Sequence, residues 1–77
     1  MTEQEWKKEF ADNLKNMIHD SNLKRSEFRL LVGGVNAAEL RNWLDGSKIP
    51  NVKILLRIAD VLDCYVDDLV NFGELIE

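Results

Sequence analysis

Gly34-Val35-Asn36-Ala37-Ala38-Glu39-Leu40-Arg41-Asn42-Trp43-Leu44-Asp45-Gly46 reads as a turn, a short helix and a glycine stop. Gly34 takes positive φ at no steric cost. Asn36 is a good N-cap, and Glu39 three residues on completes a capping-box-like pair that satisfies first-turn donors. Gly46 stands where a left-handed residue closes a helix. Between the caps, Leu40, Trp43 and Leu44 share one face at helical spacing. The other face carries Ala37, Ala38, Glu39, Arg41 and Asn42.

Upstream, the spacing predicts a first helix over about Glu3 to His19. Thr2 and Glu5 form a capping-box pattern at its start. Trp6, Phe10, Leu14, Met17 and Ile18 recur at steps of three and four, and His19-Asp20-Ser21-Asn22 reads as the turn that ends it. A second helix is expected over about Arg25 to Val32, with Phe28, Leu31 and Val32 inward, Leu23 as an anchor ahead of it and Gly33-Gly34 as its stop. Downstream, Pro50 disfavours helix at Ile49. A fourth helix then follows an Asn51 cap and runs to about Leu62. Its apolar set Val52, Leu55, Leu56, Ile58, Ala59 and Leu62 is broad enough to make it the expected most buried helix. A fifth runs over about Val66 to Asn71, with Leu69 and Val70 inward and Asp67 and Asp68 suiting its N-terminal dipole. Five short helices with short connections make an all-α bundle, and the 77 residues form one expected domain with a core over about 8–71 and a short apolar tail over 72–77.

Composition narrows the function classes. An apolar fraction of 45% with one Pro and four Gly is globular. No run is long and apolar enough to span a membrane, and the acidic start is unlike a secretory signal, so a cytoplasmic location is expected. The single Cys64 cannot form an internal disulfide and reads as a small core residue. The net charge of −4 is unevenly spread. Residues 21–57 carry Lys24, Arg25, Arg29, Arg41, Lys48, Lys53 and Arg57 against Glu27, Glu39 and Asp45, a net of +4, whereas residues 58–77 carry six acids and no base. A basic middle holding the quoted stretch is a nucleic-acid hint, although a chain this small also acquires such asymmetry by chance.

Helices two and three, joined by a tight turn, fit a helix-turn-helix. Phe10-Ala11-Asp12-Asn13-Leu14, Leu23-Lys24-Arg25-Ser26-Glu27-Phe28, Gly34-Val35-Asn36, Leu40 to Gly46, Pro50, Leu55 to Leu62 and Val66-Asp67-Asp68-Leu69-Val70 follow in order at near-correct spacing. In this ordered set the chain resembles the Cro/CI-type (XRE-like) helix-turn-helix regulators over roughly residues 8–71. The resemblance implies a five-helix lambda-repressor-like DNA-binding domain with its helix-turn-helix at helices two and three. Three departures accompany it. Arg29 stands in mid-helix two where the family usually has a small residue. Gly33-Gly34 brings one extra residue to the turn. Arg25 replaces a common Gln at the start of helix two.

The resemblance further implies that helix three enters the major groove of double-stranded DNA. Base-edge positions then fall on Ala37, Ala38, Glu39 and Asn42. Asn42 is suited to adenine, Glu39 to a cytosine amino group and the alanines to a thymine methyl. Glu39 reads equally well as a cap, and the alanines as helix formers. Phosphate positions fall on Lys24, Arg25, Arg41, Ser47, Lys48 and Lys53. A homodimer is expected through Tyr65, Val66, Phe72, Leu75 and Ile76, with a protein-interaction module on the same fold as the alternative. Trp43 and Trp6 read as core rather than stacking platforms, and His19 as a helix-end residue. No catalytic constellation, metal set, cofactor motif or small-molecule site appears, so neither an enzyme nor a cofactor is expected.

Overall fold

A computed structural model describes residues 2–70. Five helices follow one another: α1 (Glu3–Ser21), α2 (Arg25–Leu31), α3 (Ala37–Leu44), α4 (Val52–Val61) and α5 (Val66–Leu69). No strand occurs among the described residues. None of their helices is long and apolar enough to cross a membrane, and no group of three or more His, Cys, Asp or Glu side chains is placed to hold a metal.

The helix starts use two devices. Thr2, Asn36 and Asn51 are N-caps whose side-chain oxygens accept from the backbone N–H three residues on, at 3.2, 2.8 and 2.9 Å. At α2 and α5 the reverse arm operates: the Lys24 N–H donates to the Glu27 carboxylate at 3.3 Å, and the Tyr65 N–H to Asp68 at 3.0 Å. Each start thus carries one arm of a capping box, and the reciprocal pair expected at Asn36 and Glu39 is reduced to the Asn36 arm.

α1 is two residues longer than its sequence pattern suggests. Ser21 Oγ donates to the Ile18 carbonyl at 2.7 Å in the last turn. Asn22 then takes a left-handed φ of 61° and ends the helix.

The core gathers Phe10, Leu14 and Ile18 of α1, Phe28 of α2 and Val32 just beyond it, Leu40, Trp43 and Leu44 of α3, Leu55, Ile58 and Ala59 of α4, Leu69 of α5 and Val70. α1 packs against α3 and α5, α4 against α5, and α2 against α3. Asn13 Nδ2 donates to the Leu69 carbonyl at 3.1 Å, tying α1 to α5. Cys64 lies half-buried with its Sγ 3.8 Å from Met17 Sδ. Burial pushes its thiol pKa up, and Asp68 and Asp63 add to the effect.

Three inward assignments are corrected. Leu31 is 51% exposed, because Phe28 and Val32, four residues apart, take the inward row and α3 packs on the flank that holds Arg29. Val52 and Leu56 are 64% and 56% exposed, so α4 is not the most buried helix. Its covered row is Leu55, Ile58 and Ala59, and α1 contributes more to the core through Phe10, Ala11, Leu14 and Ile18. The expected end of α5 at Asn71 lies outside the described residues.

The end of α3 is tightly made. Gly46 has φ +83°, and a Cβ there would sit 3.5 Å from the Lys8 Cα of α1. The Ser47 N–H donates to the Asn42 carbonyl at 3.0 Å, the six-to-one bond of a Schellman motif, and also to Asp45 Oδ1 at 2.9 Å. The hydrogen bonds from Ser47 hold the Asp45 carboxyl below its ordinary pKa, with Arg41 and Lys15 adding to the effect.

These helix ends can be tested by substitution. Asn36→Ala should lower stability by about 1 kcal/mol in urea denaturation, and Gly46→Ala by about 1–2 kcal/mol through the left-handed φ. Because the Asp45 pKa is lowered on folding, its contribution is complete above the usual carboxylate value of 3.8 and lost as pH falls through the lower folded value. Wild type should therefore melt above Asp45→Ala at pH 6, and the gap should begin to narrow at pH 3.8 and close as pH falls through the lower folded value; a gap that does not change with pH in this range would contradict the assignment.

Candidate nucleic-acid interface

α3 has a sealed face and an open one. Leu40, Trp43 and Leu44 are buried, while Ala37, Ala38 and Arg41 are exposed and Glu39 and Asn42 half-buried. The segregation follows from the 3.6-residue period acting on an eight-residue segment. The Glu39 N–H is taken by Asn36, yet among the described residues no hydrogen bond or ion pair engages the Glu39 carboxylate. The Asn42 carboxamide is likewise free of hydrogen bonds among the described residues. The Asn42 backbone carbonyl, by contrast, is structural, and accepts from the N–H groups of both Ser47 (3.0 Å) and Lys48 (3.2 Å). The first residues of the following loop are thereby fastened to the end of α3.

The turn before α3 absorbs the extra residue. The Arg29 carbonyl accepts from both the Gly34 N–H (2.9 Å) and the Val35 N–H (3.1 Å). Gly33 and Gly34 have φ of 113° and 79°, a consecutive pair of values that side-chain-bearing residues rarely adopt. The double glycine therefore lets the chain loop over the end of α2 and deliver Asn36 to the start of α3.

The expected phosphate residues fall into separate groups. Lys24 and Arg25 stand at the N-cap and first position of α2, exposed. Arg25 lines an open groove that also holds Ala37 and Arg41 of α3. Ser47 and Lys48 are exposed after α3, and Lys53 is exposed in the first turn of α4; none of the three lines that groove. Tyr65 is exposed at the N-cap of α5 and Val66 is partly buried against the core. Phe72, Leu75 and Ile76 lie outside the described residues.

The groove also contains residues that sequence reasoning did not select, Lys15 of α1 and Arg29 of α2. A signal exists for Arg29 alone. Arg25 and Arg29 are four apart on α2, as Ala37 and Arg41 are on α3, so each pair stacks on one face of its helix. Arg29 fills the mid-helix position without prying α2 and α3 apart: the two helices remain packed together and Arg29 is half-buried at the side of the contact.

No curated protein and no solved structure matches the chain. The profile of the Cro/C1-type HTH DNA-binding domain matches residues 13–74, which takes in the end of α1, the α2-turn-α3 unit with its open polar face, and both later helices. The chain belongs to the Cro/C1-type helix-turn-helix DNA-binding domain family, a family of DNA-binding transcription regulators.

Proposed function

We propose that this protein is a sequence-specific regulator, acting as a repressor, that places α3 in the major groove of double-stranded DNA. The observation that carries this reading is the open face of α3, with the Asn42 carboxamide free of partners among the described residues and cations flanking it. In this arrangement Asn42 pairs with an adenine edge, Glu39 accepts from cytosine, and Ala37 and Ala38 meet thymine methyl groups. Lys24, Arg25, Arg41, Ser47, Lys48 and Lys53 set the register on the backbone and supply the salt-dependent affinity. The net charge of −4 does not oppose this, because the field near α3 is set by the basic residues around it, and eleven of the fourteen acids lie outside residues 21–57.

A homodimer accompanies the proposal, formed around Tyr65 and Val66 together with Phe72, Leu75 and Ile76 of the tail. Two-fold symmetry then matches half-sites about one helical turn apart. The exposed Leu30, Leu31, Val52 and Leu56 favour a second reading, a protein-interaction module in which the apolar flanks of α2 and α4 meet another protein.

Fluorescence anisotropy of a labelled random duplex at two salt concentrations separates the two. DNA binding predicts low-salt affinity with a steep salt slope, and Arg41→Ala and Lys48→Ala should each weaken binding about tenfold at 0.1 M salt and make the slope shallower by about one. No binding at low salt would leave the interaction module as the better reading. On a duplex selected from a random pool, Asn42→Ala should lose about 1–3 kcal/mol of discrimination at one base pair while random-duplex affinity stays near wild type. Sedimentation should show self-association; a monomer mass at every concentration would count against the dimer.

A further inference from the structure

The groove between α1, α2 and α3 gathers four cations, Lys15, Arg25, Arg29 and Arg41, around the small side chain of Ala37. Its one acid is Asp45, whose carboxylate accepts from the Ser47 N–H at 2.9 Å. Among the described residues, none of the four cations has an ion-pair partner: the pairs that form are Lys7 with Glu3 and His19 with Asp20. Four like charges against one acid in a concave site raise its potential and concentrate anions there. Arg29 is half-buried, which anchors its stem along the helix contact. A guanidinium is weakly hydrated and offers paired donors matched to phosphate oxygens. Ala37, the first residue of α3, lines this groove and also belongs to the proposed reading face, so an anion here would lie directly beside that face.

We infer that Lys15 and Arg29 join Arg25 and Arg41 in a seat for one backbone phosphate of the DNA strand bordering α3. This inference rests on the DNA-binding reading and extends it. The chain grips the strand from the body of α1 and from mid-α2, as well as from the α2 start and the loop after α3. It also gives Arg29 a role at a position where a small residue would serve packing alone. The Asp45 carboxylate, engaged by Ser47 and close enough to Arg41 and Lys15 to feel both, is the groove's only opposing charge.

The test uses the double variant Lys15→Gln/Arg29→Gln, which removes both charges and keeps most of each stem. On a random duplex that wild type binds, the variant should bind about tenfold more weakly at 0.1 M salt, with a salt slope shallower by about one. In NMR titrations of free wild type with inorganic phosphate, the side-chain Nε–H signals of Arg29 and Arg41 should shift, and the Arg41 shift should shrink in the double variant. An unchanged affinity and slope in the double variant would overturn the seat while leaving DNA binding intact. Failure of wild type to bind any duplex would overturn the DNA reading and this inference with it. Saturable phosphate binding lost in the variant, with an unchanged DNA slope, would make the groove a free-anion site and overturn its assignment to the DNA strand.

Discussion

The packing of α3 on α1, through Leu40, Trp43 and Leu44, is the contact on which the rest depends. An eight-residue helix is too short to persist alone in water, so its polar face is presented only while its apolar face is held. The hold is close at both ends. Asn36 takes a first-turn N–H at the start, and at the finish Gly46 lets the backbone come up against Lys8. A side chain at that position would meet the cost of the left-handed φ, while its Cβ would make only ordinary contact with α1. The α3 terminus and the Ser47-Lys48 segment fastened to the Asn42 carbonyl are therefore set relative to α1 by backbone geometry, which leaves the side chains of the open face without a structural duty.

Charge follows the same division of labour. The acids after residue 57 share the chain with the later helices, while the cations converge where α1, α2 and α3 meet. Placing Arg25, Arg29, Arg41 and Lys15 around one groove costs mutual repulsion, which the single Asp45 beside Arg41 and Lys15 offsets only in part. A fold that only needed to bury its core has no reason to collect these charges, whereas a surface that meets a polyanion does. In this respect the Arg29 departure from a small residue and the extra glycine of the turn belong together. Position 29 supplies both the side chain at the groove and, whatever its residue type, the backbone carbonyl that the turn closes upon.

Much of the helix plan was legible in the residues. Asn36, Asn51 and Thr2 announce helix starts through their own side chains, and Gly46 announces a stop, because capping chemistry acts within four residues of chain. The stripe Phe10, Leu14, Ile18 was legible for the same local reason. Ser21 was not: its residue type favours a turn, yet α1 runs through it to the left-handed Asn22. Of the candidate site, the open face of α3 could be read directly from spacing. Lys15 could not, since it lies on α1, and Arg29 was legible only as sharing a helix face with Arg25, not as lining a groove with α3.

The sequence by itself determined the five helices, their order, most of their ends and the two faces of α3, because the 3.6-residue period and the caps are local properties of the chain. The tertiary structure alone decided which apolar flanks are covered. Leu31, Val52 and Leu56 match their buried neighbours in chemistry but fall outside the rows that α1, α3 and α5 reach. It alone decided, too, that cations distant in sequence line one groove. Both outcomes depend on how helices pack across the domain, and hydrophobic burial, being non-directional, leaves that choice to the fit of the whole core.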